Sequence, residues 1–160
     1  MKKGSTLFLR LVICLIAIGV LIWLVWAPQL EGRAATLDLL SIYMDPLIIY
    51  TYIGSIPFFI ALYQAFKLLG QIDGNQVFSQ PSVNAVSSIK YCALAFSGFI
   101  LLGLLYIRFF ANMNGEDPAG VSGLGMVIIF ASIVIATAAA IFQRLLQNAV
   151  DMKSENDLTV

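Results

Sequence analysis

The string Gly120-Val121-Ser122-Gly123 is the one place in this chain where residue types and spacing match a catalytic pattern, the GxSG of serine-based intramembrane proteolysis. A serine there becomes a nucleophile only when a neighbouring base takes its proton, and histidine is the base that chemistry uses. The chain has no histidine anywhere in its 160 residues. The commonest general base, transition-metal ligand and pH switch are therefore all missing. The string reads as a glycine-rich helix start. Cys14 and Cys92 lie in different apolar runs, so neither a CxxC redox site nor a zinc knuckle is present, and both read as small packing residues. Asp73 and Asn75 supply two oxygen side chains, far short of a calcium loop. No phosphate-binding or dinucleotide fingerprint occurs. Nine basic and nine acidic residues cancel, so no strong field points to direct nucleic-acid binding or to an anionic substrate. No catalytic residue, cofactor or metal site is expected.

The elements that must hold these residues are apolar runs. Leu11 to Ala27, Leu47 to Phe66, Tyr91 to Ile107 and Val121 to Phe142 are almost free of charge. Each reaches or approaches the roughly 17–25 residues that cross a bilayer core about 30 Å thick. With 60% hydrophobic and 11% charged residues, a soluble domain could not cover such surface. The expected architecture is all-α, with the lipid bilayer as its first partner. Four transmembrane helices span about 8–27, 46–68, 88–108 and 121–146, in one domain. The first run is expected to be a retained helix: it exceeds a signal-peptide core, ends in Trp23 and Trp26, and leads into Pro28 with no small-residue cleavage site.

Basic residues give the orientation. Lys2, Lys3, Arg10, Lys67, Lys90, Arg144 and Lys153 flank one side, against Arg33 and Arg108 on the other with Glu31, Asp38, Asp45, Glu116 and Asp117. By the positive-inside rule both termini and the Lys67–Lys90 loop are cytoplasmic. Asp45-Pro46 and Asp117-Pro118 read as caps followed by proline at the first helical position. Ser79, two residues before Pro81, reads as the start of a helix running into the third span. Gly54 and Pro57 suggest a kink in the second span, and Ala34 to Met44 suggests a short interfacial helix. Ser132, Ala136 and Ala140, with Ala93 and Ser97, form small-xxx-small rows. Such rows let membrane helices approach closely, within the chain or in a homodimer.

The cytoplasmic side carries the less routine features. Phe142, Leu145, Leu146, Ala149 and Val150 form a helical stripe that carries helix four beyond the membrane into the 147–160 tail. Val83, Val86 and Ile89 make a counterpart ahead of helix three. These stripes either bury each other or dock a partner. In the loop, Asp73-Gly74 is turn chemistry, while Ile72, Val77 and Phe78 are apolar and call for cover. Ionisable residues, the usual mark of an ion path, are missing from all four runs, which argues against a self-contained channel or pump.

The stretch Ile56-Pro57-Phe58-Phe59-Ile60-Ala61-Leu62-Tyr63-Gln64-Ala65-Phe66-Lys67-Leu68-Leu69, then Ile72-Asp73, Phe78-Ser79 and Ile89-Lys90-Tyr91, resembles the domain-of-unknown-function 2975 family. So does the tail, Gln147 to Val160, with its Glu-Asn-Asp-Leu-Thr-Val finish. The resemblance covers essentially the whole chain. It implies a bacterial, multi-pass inner-membrane protein with no assigned activity, of a family often encoded beside a small helix-turn-helix regulator. On that basis Ile72, Asp73, Phe78, Val150, Glu155, Asn156, Asp157 and Leu158 are the candidate docking residues for a cytoplasmic helix-turn-helix partner. A small transporter, an immunity-type protein and an accessory subunit of a membrane complex remain as alternatives.

Overall fold

The computed structural model describes residues 3–30, 46–114 and 119–157. They form four helices: α1 (Lys3–Leu30), α2 (Pro46–Asp73), α3 (Gln80–Asn114) and α4 (Ala119–Asp157). All four are long and apolar enough to cross a membrane. At 1.5 Å per residue they measure about 42, 42, 52 and 58 Å. The two longer helices therefore exceed an apolar core of about 30 Å by 20 Å or more. The expected helix at Ala34–Met44 and the caps at Asp45 and Asp117 lie outside the described residues. Pro46 is the first residue of α2, where its missing N–H costs nothing.

Packing follows chain order: α1 lies on α2, α2 on α3 and α3 on α4. Among the described residues no Cα pair within 8 Å joins α1 to α3 or α4, or α2 to α4. The start of α1, the end of α2, the start of α3 and the end of α4 share one end of the molecule, called here the terminal end. Arg10 bridges to Asp73, Ser82 to Gln71 and Gln80 to Gln147 there.

The α3–α4 pair is the main seam. On α4, Ser122, Gly125, Ile129, Ser132, Ala136, Ala139, Gln143, Leu146 and Val150 are the buried or half-buried positions at alternating spacings of three and four. On α3, Val83, Val86, Lys90, Ala93, Ser97, Ile100, Leu104 and Ile107 follow the same rhythm. A 3.5-residue repeat keeps one stripe against one neighbour along a whole helix. Small residues let the backbones close: a Cβ on Gly125 would meet Leu104 at 2.7 Å. The small-xxx-small rows are thus used inside the chain.

Two expectations change here. Phe142 and Leu145, read as part of the α4 stripe, are exposed, whereas Gln143 and Gln147, read as its polar side, face α3. The cause is that α4 meets a single helix through a narrow seam, and Lys90 on α3 requires a polar partner. Cys14, read as a core residue, is exposed on α1, while Cys92 is half-buried. Among the described residues the Cα neighbours of α1 within 8 Å lie on α2, and most side chains of α1 are exposed.

Both prolines inside helices leave a carbonyl without its i+4 donor. Pro28 frees the oxygen of Leu24, and the Tyr52 hydroxyl of α2 donates to that oxygen at 3.0 Å. Helix α2 continues through Pro57. A second tyrosine, Tyr50, donates to the carbonyl of Phe99 at 2.6 Å. Backbone groups in hydrocarbon must find partners inside the protein, and Tyr52 supplies the one that Pro28 removes, while Tyr50 ties α2 to α3.

Candidate functional site

At the terminal end the chain leaves α2 through a C-cap and enters α3 through a serine network. Asn75 takes φ 55°. Its N–H bonds to the oxygen of Ile72, and the Gln76 N–H to that of Gln71, the paired bonds of a Schellman cap. The left-handed position is therefore Asn75, one residue beyond the Asp73-Gly74 turn expected from the sequence. Ser79 Oγ donates to the carbonyl of Gln76 at 2.7 Å, and Ser82 Oγ donates to Gln71 Oε1 at 2.8 Å. The Ser79 carbonyl accepts from the N–H groups of Ser82 and Val83, opening α3 where the sequence placed its start.

Around this network sit several of the best-buried side chains of the described residues: Thr6 and Ser82 at 0% exposure, Val83 and Ala85 at 3%, Val86 at 5%, with Leu69 beside them in the core. The stripe expected ahead of helix three is buried. Arg10 pins α1 to this head. It reaches Asp73 Oδ2 at 2.8 Å and lies 5.4 Å from the centre of the Phe66 ring. One turn toward the membrane, Lys90 donates to Gln143 Oε1 at 2.8 Å and stands 4.4 Å from the Tyr91 ring. Arg10, Lys67, Lys90 and Arg144 thus mark about the same level on all four helices.

The candidate docking residues fall into three groups. Asp73 is engaged with Arg10, and Ile72 and Val150 are half-buried in the head. Phe78 is 56% exposed on the connection. Glu155 and Asn156 are exposed on the last turn of α4. Gln80, the first residue of α3, pairs with Gln147, and α4 runs on to Asp157, ten residues or about 15 Å further along the helix. Asp157 ends the helix; its side chain and Leu158 lie outside the described residues. Gln147 Nε2 donates to Asp151 Oδ1 at 2.8 Å, and Ser154 Oγ to the Asp151 carbonyl, which stiffens the projecting segment. Ser122 of the GxSG string is buried in the α3–α4 seam.

At the opposite end the helices border a half-open cavity of about 450 Å³ that the sequence did not disclose. Trp23 and Leu24 of α1, Tyr50 and Phe58 of α2, Phe96 and Phe99 of α3 and Leu124 of α4 contribute to its wall. The nearest sequence signal was Gly54 and Pro57, and Gly54 does line it. The wall draws one or two turns from α1 and α4 and about three from α2 and α3, a convergence that periodicity within single helices does not encode.

A family model described as "Protein of unknown function (DUF2975)" matches residues 28–160. It starts at Pro28, so α1 up to Ala27 lies outside the match. The chain is similar to "Uncharacterized membrane protein YoaS" of Bacillus subtilis (strain 168), at 45% identity over 162 residues covering 100% of both chains. No solved structure matches.

Proposed function

The chain belongs to the DUF2975 family of membrane proteins of unknown function, and we propose that it is a non-enzymatic membrane platform. Its terminal end faces the bacterial cytoplasm from the inner membrane and docks a soluble partner. The observation that carries this reading is the construction of that end. A packed, hydrogen-bonded head stands beyond the basic level and presents Phe78 and the projecting turn of α4 on its surface.

Charge supports the orientation. Arg10, Lys67, Lys90 and Arg144 stand at one level, as the positive-inside rule requires of a cytoplasmic interface, and an even number of spans returns the C-terminus there. Trp23 and Trp26 near the far end of α1 suit the opposite interface. The two anchors of α1 on α2, Arg10–Asp73 and Tyr52–Leu24, support its retention as a structural helix.

The partner class is the one the family resemblance implies, a small helix-turn-helix protein. Asp151, Glu155 and Asp157 against Lys153 make the projecting segment mildly acidic, which would complement such a protein where it is basic. A homodimer would have to use surfaces other than the small-residue rows, which α3 and α4 already occupy. The test is deletion of Lys153–Val160. Membrane insertion and helix content are expected to persist while retention of the helix-turn-helix protein at the membrane is lost. Unchanged retention would remove the tail from the mechanism.

A transport or immunity-type role is the second reading, and the apolar cavity is what favours it. The cavity wall carries no Asp, Glu, Lys or Arg, so ion coupling would have to come from another subunit.

A further inference from the structure

We propose that the cavity at the far end is a binding site for one acyl chain of a lipid from the far leaflet, entering sideways between α1 and α4. Three features of the wall select this ligand.

The first is position. Counting at 1.5 Å per residue, Val20 and Leu24 lie about 15–21 Å along α1 from Arg10, and Phe96 lies about 9 Å along α3 from Lys90. The cavity therefore occupies the apolar span, on the side away from the basic level. The second is access. Helices α1 and α4 both line the cavity, yet no Cα pair of theirs comes within 8 Å among the described residues. The flanks of this gap are exposed apolar residues, Leu21 and Trp23 on α1 and Val121 and Leu124 on α4. The lipid-facing surface runs into the cavity with no polar step.

The third feature is chemistry. No charged side chain lines the wall, and its three side-chain hydroxyls each give their proton to a backbone carbonyl: Tyr50 donates to Phe99 O at 2.6 Å, Thr51 to Leu47 O at 2.9 Å and Ser55 to Tyr52 O at 2.7 Å. A ligand with a charged group would lose its hydration there with no counter-charge to offset the loss. A hydrocarbon chain loses nothing. The volume falls within the range of small-ligand sites, roughly 300–1,000 Å³.

The test uses full-length protein in phosphatidylethanolamine vesicles doped with phosphatidylglycerol that carries a diazirine in its acyl chain. Adducts are mapped on the Phe96–Ile107 segment and, as the bulk-lipid reference, at Phe130, which is 70% exposed on α4. At low probe fraction, cavity adducts are expected to exceed reference adducts about tenfold, an affinity preference of about 1.4 kcal/mol. They should level off while the reference rises in proportion to the probe. Thr51→Trp and Ser55→Phe fill the cavity from side chains whose hydroxyls bond only their own helix. Each should suppress cavity adducts about tenfold and leave Phe130 labelling unchanged. Parallel rise at both places, absence of cavity adducts, or cavity adducts unchanged in whichever filled variant inserts would overturn the proposal.

Discussion

At the scale of single residues, the chain is held by side chains that complete a neighbour's backbone. Tyr52 and Pro28 are the clearest pair, because the proline removes a donor and the tyrosine replaces it from another helix. Tyr52→Phe should cost about 1–3 kcal/mol in detergent–micelle unfolding, the penalty of an unsatisfied buried carbonyl. In a Pro28→Ala background, where the backbone N–H is restored, the same change should cost clearly less. Equal costs in both backgrounds would contradict the account. Asn75 makes a second case. Asn75→Gly should be close to neutral, while Asn75→Val should lose about 1–2 kcal/mol from forcing a branched residue into the left-handed region. Thermal unfolding of the two variants side by side would check this. The Ser79 helix start was legible in the sequence because capping chemistry is local. The Tyr52–Leu24 bond joins residues 28 apart and leaves no local mark.

At the scale of elements, hydrophobic length announced four helices, and the structure has them. Which face each helix presents was harder to read. In water the apolar face turns inward, so Phe142 and Leu145 read as buried; in lipid the same residues face outward and small or polar ones fill the seam. Gln143 shows the reversal best, because its amide oxygen holds the Lys90 ammonium between α3 and α4. Gln143→Leu should therefore destabilise the pair by about 1–2 kcal/mol despite adding apolar surface. Lys90→Met combined with it should recover most of the loss, measured as a double-mutant cycle in denaturant unfolding. Additive losses would mean that Lys90 and Gln143 do not act together.

At the scale of the whole molecule, the two ends differ in kind. The terminal end is a tight polar-and-apolar head, and the far end opens around an apolar cavity. Sequence reasoning found the first, since a loop with Ile72, Val77 and Phe78 and an over-long last helix are visible as strings. It missed the second, which exists only where four helices converge. Orientation is testable on the intact protein with Cys14 and Cys92 replaced by serine. A single cysteine at Gln76 should react with a membrane-impermeant maleimide only after the cells are opened, and one at Gly115 in intact spheroplasts. The reverse pattern would invert the topology and place the head outside.

The docking role itself is tested most directly by photo-crosslinking in living cells, with the crosslinking amino acid placed in turn at Phe78, Met152 and Asn156, and at Leu124 as the far-end control. The account expects a helix-turn-helix protein captured from at least two of the three terminal-end positions and from none at Leu124. Capture only of membrane subunits or of further copies of this chain at those positions would contradict it.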